Sequence, residues 1–356
     1  MTNPQCFARD SHMIGRMNCA IRRGIAVAAL TAIGLVATTA ANAEVKRFTF
    51  ALWGDMPYAK ANDKPKIAPL LADMNASDID FSMYDGDIKD GSSKCTDDSY
   101  VDAIKMFDGL KKPAVYVPGD NEWTDCHRKN NGGYDGLERL SYLRKIAFSS
   151  PKSYGQKKMT LEQQGKPGEK FSENTRFVHD GIVFVGLNMP GSNNNKVGDK
   201  DCTSDKSART PEQCAADNAE YAERDAANIQ WMHEAFGLAK KDKSPGIVLV
   251  VQADPGFDFP ETEDVDERQN PAYDGYTNFL AKLVEETKAF PGQVLFVHGD
   301  THFFKLDKPL LRQDDLVENF SRLETFGSPN VHWVKVTVDP KARELFIIHP
   351  MIVKGN

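Results

Sequence analysis

Hydrophobic and polar positions along the chain follow two rhythms, and the switch from one to the other marks out its elements. Over 47–53 the period is two, with Phe48, Phe50 and Leu52 on one side, as expected of a strand that stops at Gly54-Asp55-Met56-Pro57-Tyr58. The period lengthens to that of a helix over 64–75, where Ile67, Leu70, Leu71 and Met74 share a face, and a strand follows over 79–84. A helix over 97–110 and a strand over 113–117 continue the alternation, which predicts a largely parallel sheet with right-handed crossovers. Leu137, Leu140, Leu143 and Ile146 mark a helix over 134–148. Strands over 176–178 and 182–187 flank Asp180-Gly181, a favoured tight-turn pair, so a hairpin is expected there and the sheet turns mixed. A long helix over 215–239, with Ala222, Ala226, Ile229, Met232 and Phe236 inward, leads to a buried strand over 247–251. A helix over 276–289, a strand over 294–297 and a hairpin of 331–338 with 344–348 around Asp339-Pro340 complete the series.

Several of these strands end alike, in a glycine followed by an acid. Phe81-Ser82-Met83-Tyr84 runs into Asp85-Gly86-Asp87-Ile88-Lys89-Asp90-Gly91, and the others reach Gly54-Asp55, Gly119-Asp120-Asn121-Glu122 and His298-Gly299-Asp300-Thr301-His302. Open α/β sheets carry their chemistry at such ends. Clustered carboxylates repel one another unless a cation or hydrogen bonds satisfy them. One loop of this kind reads as a solvated turn, whereas its recurrence points to a metal. An EF-hand does not fit, since the twelfth position counted from Asp85 is Thr96 rather than Glu. No Walker-type loop and no Gly-x-Ser-x-Gly elbow occurs, which sets kinases and serine hydrolases aside.

Composition adds the compartment. The one long apolar run, 24–40, follows Arg22-Arg23 and ends at Ala41-Asn42-Ala43, the pattern of a secretory leader cut after Ala43; Met13 or Met17 could serve as the start. A run of about 17 weakly apolar residues is marginal as a membrane anchor, so none is expected after cleavage. The chain holds 44 basic and 51 acidic residues; the leader takes four Arg and one Asp with it, leaving 40 against 50, a net charge of −10. That balance disfavours nucleic acid as a partner. Four cysteines remain, and an exported protein with an even number suggests two disulfides. Three pairings are possible, of which Cys95–Cys126 with Cys202–Cys214 is favoured. The expected layout is a leader over 1–43 and one domain over 44–356, with polar insertions near 189–215 and 256–274.

In this order the acidic blocks resemble the calcineurin-like metallophosphoesterase superfamily, whose pattern is Asp-x-His, Gly-Asp-x-x-Asp, Gly-Asn-His-Asp/Glu, a lone His after a strand, and Gly-His-x-His. The resemblance spans 48–348. It implies an α/β fold of mixed sheets sandwiched between helices (α/β/β/α), two divalent metal ions that activate a water, and a small phosphoester as substrate. It makes Asp87 the bridging ligand and Asp55, Asp120, Asp300 and His302 its companions. The fit is uneven: Pro57 replaces one family histidine, Asp120 an asparagine, Asn121 the histidine that acts as acid, Gln252 or Ala253 the lone histidine, and Asp300 the first of the last pair. Oxygen donors thus take the place of imidazoles, favouring manganese, magnesium or calcium over zinc or iron. Asn121 and Asp90 are expected to orient water or substrate. With no histidine at Asn121, either another group such as His127 or His298 donates the proton or the substrate has a good leaving group. A relative that binds metal without turnover is the alternative.

Overall fold

Two mixed β-sheets carry the molecule, and which face each strand buries follows from the alternation in its sequence. The structure, a computed structural model, describes residues 45–257, 271–310 and 317–356. The leader expected over 1–43 and most of the insertion expected near 256–274 lie outside the described residues. The first sheet has the order β12-β11-β1-β2-β3, built from β1 (Phe48–Trp53), β2 (Phe81–Tyr84), β3 (Ala114–Tyr116), β11 (Trp333–Val338) and β12 (Phe346–Met351). The second runs β4-β5-β6-β7-β8-β10-β9, from β4 (Glu162–Gln163), β5 (Thr175–His179), β6 (Ile182–Gly186), β7 (Gly246–Val250), β8 (Gln293–His298), β9 (Lys305–Asp307) and β10 (Phe320–Glu324). The pairs β1–β2, β2–β3, β6–β7, β7–β8 and β8–β10 are parallel, and the two hairpins add antiparallel edges.

The helices are α1 (Lys64–Ala76), α2 (Asp97–Asp108), α3 (Gly136–Ala147), the single turns α4 (Gly191–Asn194) and α5 (Asp199–Cys202), α6 (Pro211–Lys241) and α7 (Thr277–Lys288). Phe50, Leu52, Phe81 and Met83 of the first sheet meet Phe177, Phe184, Val250 and Val297 of the second. The residues between them, Ala51, Trp53, Tyr84 and Tyr116, face α1, α2 and α3. On the far side Leu249, Phe296 and Phe320 face Trp231, Met232 and Phe236 of α6 and Phe279 and Leu283 of α7. Four layers result, helices, sheet, sheet, helices, as expected, with every central strand buried on both faces. Both expected disulfides are present, with Cα–Cα distances of 5.8 Å for Cys95–Cys126 and 6.0 Å for Cys202–Cys214.

Two differences from the sequence reading have a common cause, polar groups buried in pairs. In α6 the expected inward residues Ala222 and Ala226 are exposed, while Tyr221, Arg224, Asp225 and Asn228 are buried. The Arg224 guanidinium donates to the carbonyls of Asn188 at 3.0 Å and Asn194 at 2.8 Å, and Asn228 donates to Asn188 O at 2.8 Å. The first half of the helix therefore packs on a polar loop, where apolar periodicity gives no guide. Strand β10 escapes notice because it buries Arg322 and Glu324; Arg322 is held in a two-pronged pair with Asp307 of β9 at 2.8 and 2.5 Å.

The Phe184 ring stacks on Phe177 at 5.0 Å and meets Phe50 and Phe81 edge-on, each at 5.0 Å. Phe184→Ala should cost about 3–5 kcal/mol, read as a lower urea midpoint with unchanged slope. A cost under about 1 kcal/mol would contradict this packing.

Candidate metal centre

Parallel pairing of β1, β2 and β3 sets their C-terminal ends side by side, and β8 brings its own end to them across the seam between the sheets. Close approach is what glycine permits here. A Cβ on Gly299 would fall 1.9 Å from Asp55 Oδ2, and the Asp300 backbone N–H donates to that carboxylate at 3.1 and 3.3 Å. A Cβ on Gly191 would fall 2.7 Å from Asp120 Oδ2 and 3.0 Å from both Asp300 oxygens, so those two carboxylates flank a single point. Asp55, Asp87, Asp300 and His302 all have left-handed backbone, with φ of 50°, 63°, 76° and 66°. Such residues cost about 1–3 kcal/mol each and gather where a site needs them.

Asp87 is the hub. Its Oδ2 accepts from the Tyr58 hydroxyl at 2.9 Å and Asn121 Nδ2 at 2.5 Å, and its Oδ1 from the Asn121 backbone N–H at 3.1 Å. Glu122 Oε1 holds the loop from beneath, accepting from Asp87 N at 3.1 Å, Gly119 N at 2.7 Å and the Tyr116 hydroxyl at 2.8 Å. His302 lies 3.4 Å from Asp55 and 3.2 Å from the Tyr58 oxygen, and its Nδ1 donates to Ser328 O at 2.7 Å, which leaves Nε2 facing the site. Ser192 Oγ lies 2.8 Å from Asp120 Oδ2 and 2.7 Å from Asp125 Oδ1.

These anions sit out of water. Burial first, then the charges of Asp120, Glu122, Asp55 and Asp300, push the Asp87 carboxyl well above its usual range. Burial and then Asp120 and Asp55 do the same to Asp300. Burial and then Asp120 push Asp125 up to about 7, against the pull of Arg128. The buried cation nearby is Lys89, lowered by burial and supported by Glu122, Asp87 and Asp125. Carboxylate oxygens, one imidazole and a carboxamide form a donor set that fits a hard divalent cation.

The remaining expected residues are placed as follows. Asn121 is at the site, bonded to Asp87. Asp90 is turned to the loop backbones: it accepts from Ala59 N at 3.0 Å, Ser92 N at 2.9 Å and the Ser93 hydroxyl at 2.8 Å. Burial alone would raise its carboxyl, but the Ser92 and Ser93 donors outweigh it and hold it near about 2. His127 lies against Ser207, its Nδ1 3.0 Å from that hydroxyl, and burial followed by the charges of Arg209 and Arg128 pushes it down to about 3. His298 is buried on the helix side of the second sheet with Asp254 and Glu324. Among the described residues that trio is the one set of three ligand-type atoms all within 4.8 Å of one another, and the five expected ligands form no such set. At the position left open between Gln252 and Ala253, the Gln252 side chain faces the site loops, its Oε1 accepting from Gly191 N at 2.6 Å. Sequence reasoning missed Tyr58, although it stands next to Pro57 in the first acidic block, and missed the support from Glu122 and Ser192.

No family model matches the chain, and no curated protein is similar to it in sequence. Solved structures are similar in fold. PhoD is 12% identical, with a TM-score of 0.47 over 87% of this chain and 69% of its own. A purple acid phosphatase from yellow lupin seeds is 10% identical, with a TM-score of 0.44 over 83% of this chain and half of its own. TT1561 of Thermus thermophilus is 9% identical, with a TM-score of 0.41 over 87% of this chain and all of its own. These three belong to the calcineurin-like metallophosphoesterase superfamily.

One pH dependence follows from this geometry. Burial alone would lower the His302 imidazole, but Asp55 and the Ser328 carbonyl outweigh it and raise it from 6.5 to about 9. The fold thus favours protonated His302, a contribution that is full below pH 6.5 and fades as pH rises through about 9. In metal-free protein, NMR should find its midpoint near pH 9, and Asp55→Asn should bring it down to about 6.5 or lower. A midpoint of 6.5 or less in the parent would contradict the pairing.

Proposed function

We propose that the chain is an exported, metal-dependent phosphoester hydrolase, a divergent member of the calcineurin-like metallophosphoesterase superfamily. The observation that carries this reading is the convergence of Asp55, Asp87, Asp120 and Asp300 from four strand ends, with His302, Asn121 and Tyr58 among them. These residues would hold divalent metal, manganese, magnesium or calcium on the chemistry of the donors, which when bound supplies Lewis-acid polarisation of phosphoryl oxygen and an activated water. The chain's own part is to hold the anions in place. Asn121 positions Asp87 through two hydrogen bonds, and Gln252 and Ser192 position the loop that flanks Asp120.

For the leaving group, the site offers the Tyr58 O–H. Burial and then the charges of Asp87 and Asp55 raise it well above its ordinary value, so it keeps its proton at neutral pH. His127 and His298 are turned to Ser207 and to Gly299. Export is supported by the leader pattern over 1–43 and by the two disulfides. Among the described residues no helix is long and apolar enough to cross a membrane. A second reading, metal binding without turnover, is favoured by one observation, the replacement of family histidines by Pro57, Asn121 and Asp300, which spares oxygen donors for a cation and removes the usual proton donor.

Purified protein with added manganese should hydrolyse phosphate mono- or diesters, and Asp87→Asn should abolish the activity. Equal rates in variant and parent would refute the catalytic reading, and metal uptake without turnover in the parent would leave the second. Tyr58→Phe should lower kcat about 100-fold for an alkyl phosphate and much less for a nitrophenyl one. Equal losses for both esters would remove Tyr58 as the donor.

A further inference from the structure

The ends of β7, β8 and β10 hold a second group of ligating side chains that the hydrolytic site leaves unused. Parallel register sets Glu324 opposite His298, so both side chains stand on one face of the seven-stranded sheet. Alternation makes it the face of Phe296 and Phe320, toward α6 and α7, whereas Val297 and Leu323 face the other sheet. Asp254, past the end of β7, joins them, and one ligand atom from each residue lies within 4.8 Å of the other two. All three residues are buried.

The state of each atom is fixed by its neighbours. His298 Nδ1 lies 2.9 Å from the Gly299 carbonyl, which can only accept, so Nδ1 carries the proton and Nε2 presents its lone pair. His298 Nε2 has no hydrogen-bond partner, and neither has Glu324 Oε2. The other oxygen of Glu324 accepts from Phe303 N at 2.7 Å and from the Thr301 hydroxyl, and Asp254 Oδ1 accepts from Gly256 N at 2.9 Å. An ordinary buried His–Glu pair would close its own hydrogen bond, and this one does not. The strand-face cation two residues back, Arg322, is engaged by Asp307.

We propose that Asp254, His298 and Glu324 bind one divalent cation at a site separate from the carboxylate centre. One imidazole and two carboxylates suit zinc, which takes three protein ligands of these kinds, better than magnesium or calcium, which take oxygen. A tetrahedral zinc keeps its ligand atoms about 3.4 Å apart, within the observed spread. Backbone orientation of Glu324 and Asp254 and the Nδ1 anchor of His298 supply the outer contacts that such ligands need. The two sites touch through the β8 loop, since the Asp254 N–H donates to Asp300 Oδ2 at 3.1 Å. An ion at the trio therefore holds Asp300 in position.

The test uses chelator-stripped protein carrying Asp87→Asn, which disables the carboxylate centre, titrated with zinc chloride by calorimetry. One zinc per chain is expected, weakened at least about 100-fold by adding Glu324→Gln. Zinc should also raise the melting midpoint of Asp87→Asn and leave that of the double variant unmoved. Crystals of the unmutated protein soaked in zinc should show an anomalous peak between the three side chains, a readout that needs no variant to fold. Absence of that peak, no zinc uptake by Asp87→Asn, or equal uptake after Glu324→Gln would each overturn the proposal.

Discussion

Carboxylates taken out of water must be met by donors or cations, and that requirement shapes the whole seam where the two sheets meet. Asp55, past the end of β1, and Asp85 and Asp87, past the end of β2, are almost fully buried at neighbouring strand ends. Each is met by a group that another element delivers: Asp55 by the Asp300 N–H of the second sheet, Asp85 by the Thr325 hydroxyl at 2.8 Å, Asp87 by Tyr58 and Asn121. Charges at this density stay costly even so, which is why burial and mutual repulsion push Asp85, Asp87 and Asp300 upward together. A divalent cation is the direct physical answer to such a cluster.

Support for the seam comes from a polar frame that reaches far from it. Arg144 of α3 forms a two-pronged pair with Glu173 at 2.8 and 2.5 Å, and Glu173 accepts from Asn188 at 3.0 Å. Asn188 and Asn194 in turn receive Arg224 from α6, and the chain between them carries Gly191 and Ser192 to Asp120. Within it Ser192, Asn193, Asn194 and Asn195 all have positive φ, a run that asparagine tolerates better than most residues. The Cys95–Cys126 disulfide joins the loops that follow β2 and β3. The insertion expected from its polar composition is thus a supporting wall of the site.

The layers were legible because their signals are local. Period-two strands buried on both faces and helices with apolar stripes predict the sandwich, and glycine before aspartate marks where β1, β2, β3 and β8 deliver acids. What escaped depends on pairing across space. Arg224, Arg322 and Glu324 read as surface residues until Asn188, Asp307 and His298 are seen beside them, and His179 and His233, which belong to no motif, meet the sequence-distant Asp80 and Glu286 in space. Tyr58 carries no motif of its own; its role appears only when Asp87, Asn121 and His302 close around its hydroxyl.

The central claim is that the strand-end carboxylates bind a hard divalent cation through Asp87. Manganese titration followed by electron paramagnetic resonance tests it directly, because free manganese gives a six-line signal that fades on binding. The parent is predicted to remove at least one more manganese per chain than Asp87→Asn does. Equal signal loss in parent and variant, or none in either, would contradict the account.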